Sequence, residues 1–277
     1  MNQAPDKQLT NSNFGKWGWS MILYSMLLYY FWAGLAVDGL NVYPGAFAAL
    51  HGWDPNVLLG FATPAGIIGV LGGIVFGRLI MKTGARNLSA VTLIVTGLIY
   101  ILFGRVSSPT MFLVCLTLFT FMANAFGLIV TSTLMNNWFP RKKGIALGWA
   151  TMGAPLCTAT FVAILSGLFG KFGVPTGCTI VGVVVVIFGL ASLVWVKDYP
   201  HDVGAYPDNI KAEGVDFKAQ AEAVRSHKSA FTVSKLLRDK DMWCMGLGFG
   251  LLWMVTVGIV SQFVPRMISV GNSQPAA

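Results

Sequence analysis

Seven stretches of this chain run without a single Asp, Glu, Lys or Arg: residues 17–37, 55–77, 87–104, 106–140, 144–170, 172–196 and 242–265. A helix needs roughly 20 apolar residues to cross a hydrocarbon core. All but one stretch meet that length, and 87–104 sits at its lower limit. Without water, each span must close its own backbone hydrogen bonds, which makes helix the default. The pattern predicts an all-α, polytopic membrane protein. Only 11% of the 277 residues are charged, against about a quarter in soluble domains, so there is too little polar surface to solvate a globule of this size. The first stretch is about twice as long as a secretory h-region and no small-residue cleavage site follows it. It reads as an uncleaved first helix.

The net charge of +8 would suggest nucleic acid in a soluble protein, but its placement follows the spans. Lys7 and Lys16 precede the first span. Arg78, Lys82 and Arg86 lie between the second and third, and Arg141, Lys142 and Lys143 between the fourth and fifth. Eight more basic residues fall within 197–241. The alternate loops hold only Arg105, Lys171 and Arg266. By the positive-inside rule the amino terminus and the long linker are cytoplasmic. The positive charge then serves topology and anionic lipid, with no nucleic-acid partner. A rhodopsin-like seven-helix receptor would place its amino terminus outside, and the seventh span here contains no Lys for a retinal Schiff base.

The expected organisation is a tail over 1–16, a six-helix bundle over 17–196, a linker over 197–241, a seventh helix over 242–265 and a short extracytoplasmic end over 266–277. The linker carries eight acidic residues against its eight basic ones, so it reads as a surface segment. Short helical pieces are expected around 219–227 and 234–241. His201 and His227 lie in it without ligand-like spacing. Six helices, a charged linker and one more helix read as one half of a longer bundle plus the start of another, with a missing carboxy-terminal half expected for activity. Cys115, Cys157, Cys178 and Cys244 all lie inside apolar runs and read as small buried hydrophobes. No metal site or cofactor is expected. The chain has no H-E-x-x-H, G-x-S-x-G or Walker A motif and is not read as an enzyme.

Two loops carry motifs. The first is Gly77-Arg78-Leu79-Ile80-Met81-Lys82-Thr83-Gly84-Ala85-Arg86. Its glycines suit a tight turn and its basic residues hold it on one side. The second is Trp138-Phe139-Pro140-Arg141-Lys142-Lys143-Gly144-Ile145-Ala146-Leu147-Gly148. Here Trp138 suits the membrane interface, Pro140 the first turn of the fifth helix, and Gly144 with Gly148 a close helix approach. The first segment resembles the G-R-L-x-D-R-x-G-R-R loop of the major facilitator superfamily, with Met81 at the acidic position. The second is similar to the W-F-P-x-R/K-R/K-G-x-A-x-G segment of its oxalate/formate antiporter and monocarboxylate porter branches. The resemblance covers nearly the whole chain, as the first half of that fold plus one helix. It implies alternating-access transport, with a small carboxylate as the leading substrate and protons or a counter-substrate as coupling partner. The acid that steadies the family's outward-facing state is absent at Met81, and Ala123 or its neighbours stand where the family carries an Arg in the fourth helix. Gly153-Ala154-Pro155 is faintly similar to the family's antiporter glycine-proline motif.

Polar residues inside spans are the site candidates, being costly in lipid. Thr117, Thr120, Asn124 and Thr131, with Gly127, follow helical spacing and share one expected face of the fourth helix. They either line a cavity or bond within the bundle. Tyr24, Phe31 and Asp38 recur every seven residues on the first helix, flanked by Tyr29 and Trp32. Asp38 either binds a proton, cation or substrate hydroxyl, or stabilises the outer turn through Asn41 and Pro44. Gly69, Gly73 and Gly77 give the second helix a smooth face, for sliding during alternating access or for static packing. The localisation expected is a bacterial inner or plasma membrane. The alternatives are transport of a different metabolite and a non-transporting sensor or assembly protein on the same scaffold.

Overall fold

The computed structural model describes residues 12–210, 235 and 238–271. The chain divides into two units, Met1–Asn209 and Ile210–Ala277. Among the described residues the regular structure is entirely helical.

In the first unit, α1 (Gly15–Ala36) runs into a 3₁₀ turn (Asp38–Asn41) and two short helices, α2 (Tyr43–His51) and α3 (Pro55–Gly60). Then come α4 (Ala62–Phe103), α5 (Pro109–Asn124), a π-helical turn (Ala125–Val130), α6 (Thr131–Trp138), α7 (Lys143–Thr151) and α8 (Gly153–Trp195). Local chemistry fixes several starts. The Asp54 carboxylate accepts from the Asn56 amide at 2.8 Å ahead of Pro55. The Ser108 hydroxyl accepts from Met111 at 3.2 Å ahead of Pro109. Each is an N-cap followed by proline at the first helical position.

Four helical stretches of this unit are long and apolar enough to cross a membrane: Gly15–Asn41, Pro55–Phe103, Pro109–Trp138 and Lys143–Trp195. Two of them are too long for one crossing. The 42 residues of α4 would run about 63 Å if straight, twice the roughly 30 Å hydrocarbon core. A single glycine divides each into two limbs: Gly84 (φ 78°, ψ 165°) in α4 and Gly173 (φ 78°, ψ 163°) in α8. Only glycine adopts this geometry readily. The six expected helices are thus α1, the two limbs of α4, α5–α6, α7 with the first limb of α8, and the second limb of α8. The kinks share one backbone geometry and fall at corresponding places in two three-span halves, the arrangement of an internal repeat.

The second limbs of α4 and α8 touch backbone to backbone. A Cβ added at Gly97 would lie 2.5 Å from the Gly182 carbonyl, and one at Gly182 would lie 2.6 Å from that of Gly97. Small residues permit such approach in apolar bundles. At one end of the unit an aromatic cluster is fully buried: Tyr43, Phe47, Tyr100, Phe103, Phe112 and Phe119. Within it Tyr100 donates to Tyr43 at 3.0 Å, and Tyr43 to the Leu35 carbonyl at 3.3 Å.

The expected bundle boundary at 196/197 moves to 209/210, because residues 197–209 belong to the first unit. The expected piece at 219–227 and His227 lie outside the described residues, as do most of the 1–16 tail and residues 234, 236 and 237 of the expected piece at 234–241. In the second unit, α9 (Lys240–Ser269) contains the expected seventh helix and exposes apolar side chains such as Phe249 and Met254.

Candidate functional site

Three of the six spans meet at Trp32. Its indole Nε1 donates to Asn124 Oδ1 at 2.9 Å, joining α1 to α5. Tyr29 lies edge-on to the same ring at 5.9 Å. The first limb of α4 enters at Gly69, where an added Cβ would sit 2.7 Å from Asn124 Nδ2 and 3.3 Å from Thr120 Cγ2. Gly127, in the π-helical turn, makes room for the Trp32 ring itself. Tyr29, Trp32 and Thr120 are buried and Asn124 is half-buried. The structure therefore brings together Tyr29, Trp32, Thr120, Asn124 and Gly69. Indole N–H, amide and hydroxyl groups offer hydrogen bonds without fixed charge, which suits a polar solute passing through an apolar unit.

Thr131 does not join them. The π-helical turn adds residues to the helical repeat, so positions beyond Val130 leave the face set by Thr117 and Thr120. Thr131 is fully buried and its hydroxyl donates back to the Phe126 carbonyl at 3.4 Å. Thr117 keeps its half-buried place on α5.

Tyr24 also stands apart. It is buried, donates to Ser192 at 2.7 Å and stacks on Phe188 at 5.3 Å, so it joins α1 to the second limb of α8. Asp38 is buried at 2% exposure. Asn41 bonds its backbone carbonyl at 3.1 Å, and the carboxylate is used elsewhere. Thr158 of α8 donates to Oδ2 at 3.0 Å, and the Cys157 thiol interacts with the same group. The side chain thus joins the end of the first span to α8, and the turn is held by Asp38's main chain. Among the described residues Asp38 has no ion pair.

The smooth face expected on the second helix is only partly packed. Gly69 is in close contact, whereas Gly73 and Gly77 have open space beside them. Gly72, one residue round the helix, is the second packed position, against Phe121. Gly144 and Gly148 likewise have open space, so they admit no neighbour within this unit. Among the described residues the tightest glycine is Gly153, where an added Cβ would collide with the Met26 carbonyl of α1.

At the end of the unit that carries the basic loops, the motif residues meet the chain leaving α8. Gly84 kinks α4 and leaves space for the Asp198 carboxylate, which accepts from the Arg86 amide at 2.8 Å. Burial raises the Asp198 carboxyl above the usual carboxylate range; the Arg86 amide opposes this and Asp202 adds to it. Arg78, Lys82 and Arg86 themselves point outward. Trp138, a residue type suited to the membrane interface, is instead buried, and its Nε1 donates to the Lys197 carbonyl at 2.9 Å. Pro140 lies in the turn before α7, which begins at Lys143, and not in its first helical turn. The amides of Arg141 and Lys142 donate to Asp208 at 3.2 and 2.9 Å. Asp198, Asp208, Thr158 and Ser192 did not stand out in the sequence. Pro207-Asp208-Asn209 does carry a turn signature, but nothing in it names the partners.

Among the described residues no group of His, Cys, Asp or Glu is placed to hold a metal ion. No curated protein matches the chain. The profile of the Major Facilitator Superfamily matches residues 9–274, and with its apolar membrane-capable helices the chain belongs to that family of integral membrane transporters for small solutes.

Proposed function

We propose that this chain contributes to secondary active transport of a small carboxylate by alternating access, with the Trp32–Asn124 pair on the wall of the pathway. The observation that carries this reading is the 2.9 Å bond between Trp32 and Asn124. It links two spans, and Thr120 and Tyr29 lie beside it. Polar groups in this setting are costly unless they are used. Neutral donors would contact the carboxylate oxygens. No basic residue lies in the charge-free runs within the first unit, and Arg78, Lys82, Arg86 and Lys171 fall near the kinks of α4 and α8, so the opposing wall would supply any countercharge. The substrate class rests on the likeness of 138–148 to the oxalate/formate and monocarboxylate branches. Transport would be driven by exchange or by a proton gradient, with Asp38 the candidate for coupling. The basic distribution supports a cytoplasmic amino terminus and linker.

Counterflow in proteoliposomes tests this. Vesicles holding the protein are loaded with oxalate, formate or lactate, and uptake of the labelled acid is measured. Trans-stimulated uptake that falls about tenfold or more in Asn124→Leu supports the reading. Saturable binding of these acids without flux would favour a sensor, and flux of neutral solutes alone would move the substrate class.

A further inference from the structure

Thirteen residues past the last span of the first unit are held more tightly than a connecting segment requires. At their start, the Lys197 carbonyl takes the Trp138 indole and the Asp198 carbonyl takes the Asn137 amide at 3.2 Å. The Asp198 carboxylate takes the Arg86 amide at 2.8 Å. At their end, Asp208 is 3% exposed and takes the amides of both Arg141 and Lys142. Asn209 donates to the Asn13 side chain at 3.2 Å, and its own side chain packs on Gly15 at the start of α1.

Between these ends the segment is closed on itself. Tyr199 and Asp202 form a capping box, Gly204 turns with φ 68°, and the Ala205 amide returns to the Pro200 carbonyl at 2.9 Å. Asp208 and Asn209 are consecutive non-glycine residues at φ 57° and 55°. Asp and Asn are the non-glycine types that tolerate this region best. Both carboxylates sit at helix starts: the second limb of α4 after Gly84, and α7. There unpaired amides and the helix dipole favour negative charge. Their partners are backbone amides, so the fit depends on loop conformation and not on the outward-pointing Arg side chains.

We propose that residues 197–209 act as a single carboxylate clasp that fixes the loop at 78–86 against the loop at 139–143, and that must let go before the two loops move relative to each other. Asp198, remote in sequence, reaches loop 78–86 at Gly84 and Arg86. The clasp is one device because the same short, self-closed segment carries both carboxylates.

Hydrogen–deuterium exchange on the full chain in lipid nanodiscs tests this without a substrate. Wild type is compared with Asp198→Ala, Asp208→Ala and the isosteric Asp198→Asn and Asp208→Asn. A single clasp predicts that each substitution speeds exchange about tenfold in peptides covering both 84–88 and 140–144, with 97–103 unchanged. Faster exchange only at the substituted residue's own loop, or at neither, overturns the proposal. If the alanine variants lose protection over 97–103 as well, the asparagine variants decide. The same loss in those overturns it too, since the segment would then be holding the unit together and not clasping two loops.

Discussion

Thr158 donates its hydroxyl to the Asp38 carboxylate across 3.0 Å, tying the end of the first span to α8. Asp38 is almost wholly buried, and among the described residues no cation pairs with it. Two consequences separate. Thr158→Val removes the hydroxyl donor and keeps the shape, so it should destabilise the protein by about 1–3 kcal/mol, read as a lowered Tm in detergent. Asp38→Asn keeps a polar group for Thr158 and should fold, but it removes the ionisable group. If Asp38 couples transport to protons, the variant should lose pH-gradient-driven uptake and retain substrate exchange. Uptake with unchanged dependence on the gradient would remove Asp38 from coupling.

The Trp32–Asn124 bond should matter more to transport than to folding. Interhelical hydrogen bonds in membrane bundles contribute about 0.6–2 kcal/mol. Asn124→Leu should therefore lower the Tm modestly while depressing counterflow strongly. A variant equally stable and equally active would take this pair off the pathway.

Glycine substitutions should divide by what lies beside them. At Gly153 a methyl group meets the Met26 carbonyl, and at Gly127 the Trp32 ring. Gly153→Ala and Gly127→Ala should each cost about 1–3 kcal/mol or more through overpacking. Gly73→Ala and Gly77→Ala meet open space and should leave the Tm unchanged. If that open face slides during transport, bulky Gly73→Leu should slow turnover without lowering stability; a Tm loss like that of Gly153→Ala would show that the face is already packed.

The contrast among these glycines shows where sequence reading succeeds here and where it stops. Charge-free runs foresee the long apolar helices of the first unit, because lipid forbids both unpaired backbone and unpaired charge. Helical spacing brings Thr120 and Asn124 into view, while on the first helix it picks Tyr24, Phe31 and Asp38, with Tyr29 and Trp32 only flanking them. It fails at Thr131, because 3.6-residue counting assumes an unbroken helix and Ala125–Val130 carries no composition signal for a π-helical turn. It singles out Gly73 and Gly77 but misses Gly97 and Gly182, since spacing says which residues share a face and not what that face meets. Residues 197–241 read as a surface linker because their eight acidic and eight basic residues balance. Asp198 and Asp208 instead pair with backbone amides, which no composition reveals.

Asp198 also gives a pH prediction. Its carboxyl is raised above the ordinary carboxylate value chiefly by burial, with the Arg86 amide opposing and Asp202 reinforcing. A raised folded-state value means that the native protein takes up this proton at higher pH than the unfolded chain does. This group's contribution to stability is therefore least favourable at neutral pH. It improves as pH falls through the folded value toward the unfolded one, about 3.9. Protonation also weakens Asp198 as an acceptor for the Arg86 amide. Mild acid should thus loosen the loop at 78–86 without lowering global stability through this residue. Infrared titration of the protein should show a carboxylic-acid C=O band appearing above the usual Asp range and missing in Asp198→Asn. Exchange at 84–88, corrected for its intrinsic pH dependence, should rise over the same interval. If the band appears only at or below the ordinary Asp value, or the exchange rise persists in Asp198→Asn, another group is responsible for the acid response.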